Sequence, residues 1–231
     1  MKKIIKRIAP EWLLKWYRVR DVSKFKNKST GEVFTQIYNS NYWKSSESAS
    51  GTGSELEQTK TLRSDIAQLI NDKQIKSILD LPCGDFKWMQ HVDLSDVKYT
   101  GADIVEELIV KNKQKYENEN REFKVINLIE DPLPLNDMIM VRDCLVHLSE
   151  ADILKALANI KSSGCKYLFT TTFPEQRENH NIVTGGWRKI NLQLPPFNLP
   201  TPIVIINENC TEGVKGEYKD KSMGLWEVSK I

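Results

Sequence analysis

Cysteine is scarce in this chain and widely scattered. Its four cysteines, Cys83, Cys144, Cys165 and Cys210, form no C-x-x-C pair, which argues against a zinc site or a disulfide framework and for a reducing cytosol. No acidic cluster has metal-ligand spacing either, so no metal is expected. Apolar runs are short. None approaches the roughly 18 residues that a membrane-spanning helix needs. The N-terminus lacks the continuous apolar segment and small-residue cleavage site of a secretory leader. A G-x-G-x-x-G fingerprint is missing, which weighs against a nicotinamide-dependent oxidoreductase. There is no internal repeat.

What is present fits a soluble globular protein. The 231 residues, 40% hydrophobic and 28% charged, suit one α/β domain with an N-terminal extension. A net charge of +2 hides an asymmetry: residues 1–28 hold ten basic and two acidic residues, or +8, leaving −6 for the remainder. Nucleic acid is therefore not an expected partner of the main domain. Residues 1–20 place Ile4, Ile5, Ile8, Trp12, Leu13 and Trp16 on one helical face, with Lys and Arg opposite. Two readings follow: a helix packed on the domain, or a peripheral contact with the inner face of an anionic membrane.

The most informative stretch is Ser77-Ile-Leu-Asp-Leu-Pro-Cys-Gly-Asp-Phe86. Its apolar run reads as a buried central strand, stopped by Pro82 because proline gives no N–H to a sheet. Gly84 allows a tight turn, and a helix is expected to start near Phe86. Val97–Asp103 reads as the next strand, ending in a carboxylate 23 positions after Asp80, an interval that suits a βαβ unit binding a ribose diol. Further strands are expected at 122–127, 137–143, 166–172, 201–207 and 224–230, with helices over 105–118 and after Ser149. Residues 45–54 are rich in Ser and Gly. They read either as a plain linker or as a loop offering N–H groups to an anion, ahead of a helix capped by Ser54 and Glu57.

Asp80-Leu-Pro-Cys-Gly-Asp85 resembles motif I of class I S-adenosylmethionine-dependent methyltransferases, with Pro82 and Phe86 where that motif has glycines. The segment 137–148 similarly resembles motif IV. The resemblance covers about 54–231 and implies a Rossmann-like, seven-stranded, mainly parallel sheet of order 3-2-1-4-5-7-6 with an antiparallel edge strand. Residues 1–53 then form a separate helical arm and loop. It further implies a cytoplasmic enzyme using S-adenosylmethionine and releasing S-adenosylhomocysteine. Asp80, Pro82, Cys83, Gly84, Asp85, Asp103, Ile104, Asn127, Leu128, Arg142 and Asp143 would surround the cofactor. Asn127 stands where relatives carry an Asp for the adenine amino group.

Methyl transfer needs a base near the methyl group, and His147 is the expected base, with Asp143 orienting it from the same face if the chain is already helical at 143. Trp187, Arg188, Asn191 and Asn181 supply an aromatic face, a guanidinium and amides, the inventory for a ring-bearing, anionic acceptor. The stretches RDCLVHLS, TTTF and TGGWRKINL are similar to small methyltransferases of bacterial surface-polysaccharide (capsule) pathways. That likeness implies a glycan or a phosphorylated or nucleotide-activated precursor as acceptor. The alternative is a methyltransferase-like module without catalysis that binds a membrane or a partner.

Overall fold

The computed structural model describes residues 22–213 and 216–231. The amphipathic face expected over residues 1–20 lies outside them. Four helices are described: α1 (Thr30–Asn39), α2 (Lys60–Asp72), α3 (Glu106–Tyr116) and α4 (Glu150–Ser162). The strands are β1 (Ser77–Asp80), β2 (Lys98–Asp103), β3 (Arg121–Val125), β4 (Met138–Val141), β5 (Tyr167–Thr172), β6 (Val204–Asn207) and β7 (Ser222–Glu227). They form one sheet in the order β3-β2-β1-β4-β5-β7-β6. The pairs among β1–β5 are parallel, and β7 runs antiparallel to both β5 and β6. The reversed strand thus lies one place in from the edge, rather than at the edge as expected.

Alternation along the central strands creates two cores, one on each side of the sheet. Leu79, Ile139, Val141 and Leu168 join α4's Ile153, Ala156, Leu157 and Ile160 on one face. Ile78, Met138, Met140 and Phe169 join α2's Leu62, Ile66, Leu69 and Ile70 on the other. Burying four aliphatic side chains stabilises α2 by about 1.5–3 kcal/mol each. That outweighs the ~1 kcal/mol typical of a side-chain cap, and α2 has none at Thr59, its N-cap.

Two helix starts differ from the sequence reading. Ser54 does not cap α2; it sits in a 3-10 turn over Thr52–Ser54, and Glu55 accepts from Ser45 Oγ at 2.8 Å. A capping box does occur at Ser29 and Glu32, where it opens α1. The helix expected at Phe86 is replaced by turns and a 3-10 turn over Met89–His91. Phe86 adopts φ 57° and is fully buried among Tyr99, Tyr116 and Phe123. A left-handed residue there cannot continue a right-handed helix.

The Ser/Gly tract is an ordered loop. Asp85 accepts hydrogen bonds from Ser48 Oγ (3.1 Å) and Ala49 N (2.8 Å), while Lys87 Nζ donates to Glu47 O at 2.6 Å. Ser50 Oγ accepts from Asp85 N at 3.2 Å, and a Cβ on Gly84 would stand 2.0 Å from that oxygen. Gly84 is thus required twice, by its φ of 57° and by the serine lying on it. Residues 173–200 contain no helix or strand. They bury Ile190, Leu192, Phe197 and Leu199 in the first core and hydrogen-bond back to the turn after β4 through Gly185 N–His147 O and Arg188 N–Val146 O.

Candidate active site

A cavity of about 290 Å³ opens beyond the carboxyl ends of β1, β2 and β4, the position where open α/β sheets bind ligands. At one end is Asp103, the last residue of β2. Its Oδ1 accepts from Val105 N (3.0 Å) and its Oδ2 from Gly84 N (3.3 Å). Burial nevertheless pushes its pKa up to about 6. Ile104, Val105, Leu108, Ile126 and Leu128 make an apolar wall beside it, and Thr30, Phe34 and Tyr38 of α1 also line the cavity. Residues before 54 therefore share the cavity with the sheet.

Asp80 lines the cavity floor at 2% exposure and accepts from Tyr99 Oη at 2.5 Å. Burial raises its pKa to about 7 from an ordinary 3.8. The folded state therefore resists ionisation, and this carboxyl destabilises the fold increasingly as pH rises from its unfolded value through about 7. Asp80→Asn keeps an acceptor for Tyr99 and should raise the melting temperature of the ligand-free protein at about pH 8. The gain should shrink steadily as pH falls toward about 4. Scanning calorimetry at both pH values checks this. An equal shift at each would exclude the titration.

The other end is charged. Asp143, at φ 51°, receives Lys221 Nζ at 2.6 Å and lies 3.4 Å from Arg142. Arg142 in turn donates to Glu208 (2.6 Å) and to Gly53 O (2.8 Å). Although burial opposes it, the two cations hold Asp143 at a pKa of about 2. Beside this network is His147, at the end of a 3-10 turn over Leu145–His147. Its Nδ1 lies 2.6 Å from Gly186 O. A carbonyl only accepts, so the proton is assigned to Nδ1 and the lone pair to Nε2. Burial depresses the imidazole's pKa, so the ring is neutral at physiological pH.

No protein-family profile matches the chain, and no curated protein sequence matches it. Solved structures do. PigF with SAH aligns over 97% of this chain and 72% of its own, at TM-score 0.63 and 13% identity. The N-methyltransferase NodS from Bradyrhizobium japonicum aligns over 74% and 96%, at TM-score 0.53 and 10% identity. Human N-acetylserotonin methyltransferase in complex with SAM aligns over 76% of this chain and 56% of its own, at TM-score 0.53 and 17% identity. The chain has the class I methyltransferase fold.

In that fold the structure sorts the residues singled out from the sequence. Asp80, Pro82, Cys83, Gly84, Asp103, Ile104, Asn127, Leu128, Arg142, Asp143, His147 and Trp187 all line the cavity. Burial pushes the thiols of Cys83 and Cys144 up, Cys144 to about 12, so neither is a thiolate at neutral pH. Asn127 spends its side chain on its own turn, accepting from Ile129 N and donating to Glu130. Asp143 is not on a helix with His147, because its positive φ precedes the 3-10 turn. Its carboxylate holds Lys221, and the imidazole is oriented by Gly186 instead.

Four expectations fail on geometry. Asp85 lies outside the cavity and anchors the Ser/Gly loop. Arg188 turns inward, donating to Leu145 O, Val146 O and His180 O at 3.0–3.1 Å. It satisfies carbonyls at the turn carrying His147, and burial lowers its pKa to about 10. Asn191 donates to Pro174 O and Gln176 O within its loop, and Asn181 Oδ1 accepts from Glu150 N at the start of α4. The sequence reading missed Trp43, Glu212, Tyr218 and Lys221, all of which line the cavity. Aromatic residues near the Ser/Gly tract were the available signal for Trp43.

Proposed function

We propose that this protein is an S-adenosylmethionine-dependent O-methyltransferase. One observation carries the reading. A carboxylate clamped at the end of β2 and a neutral imidazole with its lone pair on Nε2 line a single cavity. The residues present fit the cofactor: Asp103 offers two acceptor oxygens for a ribose diol, and Ile104, Leu108, Ile126 and Leu128 offer an apolar seat for a purine. When bound, S-adenosylmethionine supplies an electrophilic methyl group on a sulfonium. His147 takes the proton of an acceptor hydroxyl, raising its nucleophilicity as it attacks. Cavity walls hold the acceptor in line and exclude water.

Phe173, Trp187 and Tyr218 give the acceptor side flat apolar surfaces, which suit the ring of a sugar or another cyclic polyol. An anionic acceptor group is not part of this reading. Arg188 faces the protein interior, and the cations that line the cavity, Arg142 and Lys221, are already bound to carboxylates. The narrower assignment, a glycan or glycan precursor of surface-polysaccharide synthesis, is supported by the motif resemblance and by this ring-binding surface.

The test is transfer of label from methyl-labelled S-adenosylmethionine to a panel of cyclic polyols, phosphorylated sugars and amines. Label in uncharged hydroxylated rings is the expected result. Label confined to amines would overturn the O-methyl assignment, and label confined to phosphorylated sugars would restore the anionic acceptor.

A further inference from the structure

His147 is held from two sides. On one, Gly186 O takes Nδ1–H at 2.6 Å, and Gly185 N donates to the His147 carbonyl at 2.8 Å. On the other, the indole of Trp43 lies against the imidazole, with ring centroids 5.1 Å apart and planes at 38°. Trp43 belongs to the turn following α1, which is pinned by Tyr42 N–Ile37 O and Lys44 N–Asn41 O. The Ser/Gly loop makes room for it: Gly51 sits at φ 95°, and a Cβ there would meet Trp43 Cβ at 3.1 Å.

We infer that Trp43 is a positioning residue for His147, acting with the Gly186 carbonyl to fix one tautomer and to aim Nε2 into the cavity. This rests on the proposed role of His147 as base. The carbonyl alone sets which nitrogen carries the proton, but a single hydrogen bond leaves the ring free to tilt and lets water compete for that proton. A flat ring packed on one face removes both freedoms at little entropic cost, since an indole has only two side-chain torsions to fix. The charged groups facing the imidazole, Asp143, Arg188 and Lys221, come from other elements and stay in place when Trp43 changes. The segment before the sheet thus completes the catalytic constellation.

Nuclear magnetic resonance of isotope-labelled imidazole nitrogens tests this. The chain has three histidines, and His147→Ala assigns the signal. The parent protein should show His147 as one Nδ1–H tautomer with a slowly exchanging proton. Trp43→Phe, which keeps a flat ring, should retain that signature. Trp43→Ala should lose it, giving averaged nitrogen shifts and fast exchange, and turnover should fall roughly 10- to 100-fold with the KM for S-adenosylmethionine unchanged. If the alanine variant does not melt cooperatively, Trp43→Leu, which keeps apolar bulk without a flat ring, is read in its place. A retained single tautomer with slow exchange in the ring-less variant would overturn the inference. Failure of the base assignment looks different: His147→Ala would leave turnover intact whatever the resonances of the Trp43 variants show.

Discussion

Replacing His147 with alanine should lower turnover by roughly 10²–10⁴-fold while S-adenosylhomocysteine affinity stays within a few-fold. The expectation follows from where the lone pair is. Nδ1 is committed to Gly186 O, so Nε2 is the nitrogen able to take a proton from a ligand in the cavity. Burial also depresses the imidazole's pKa, which keeps the base unprotonated to lower pH than a solvated histidine. The rate should therefore be flat through neutral pH and fall only as acid protonates Nε2, below the ordinary histidine range. Steady-state kinetics across pH, with calorimetric binding on the same variant, separate this from a packing defect. Lost cofactor affinity together with lost activity would instead point to a structural role.

Asp103→Ala should produce the second large effect, and it should fall on binding. Two charge-assisted hydrogen bonds to a ribose diol are worth about 1.5–3 kcal/mol each, so their loss weakens S-adenosylhomocysteine binding by at least about 10²-fold. The raised pKa adds a signature. Ligand hydroxyls donate to the ionised carboxylate, so binding favours deprotonated Asp103. With a pKa of about 6 in the ligand-free protein, affinity should be constant above about pH 7 and fall toward tenfold per unit below 6. Asp103→Asn, which does not titrate, should show no such slope. Calorimetry at several pH values reads both effects. Parallel pH curves for parent and asparagine variant would remove Asp103 from the binding site.

The strands were legible because burial imposes a pattern on sequence, and their order because the motifs resemble those of class I methyltransferases. Ile78-Leu79 and Met138–Val141 had to be apolar on both faces, and the interval to Asp103 matched one βαβ unit. Contacts made by single side chains were less legible. Arg188 reads equally well as a phosphate clamp or as a donor to backbone carbonyls; only the path of 173–200 over the His147 turn decides for the second. The charge network joins Arg142 and Asp143 to Glu208 and Lys221, which lie 66 and 78 positions away from their respective partners. No local pattern announces such a pairing. The capping box at Ser29 was visible as S-x-x-E, but Gly31 inside it and the polar residues around it mimic a loop.

The central claim is that one cavity holds the cofactor by Asp103 and places the acceptor hydroxyl between the transferred methyl and His147. A crystal structure of the protein with S-adenosylhomocysteine tests it most directly. The expected result is a ligand with both ribose hydroxyls on the Asp103 carboxylate, its purine against Ile104 and Leu128, and its sulfur on the side of the cavity lined by His147. A ligand bound elsewhere, or one whose sulfur is walled off from His147, would contradict it.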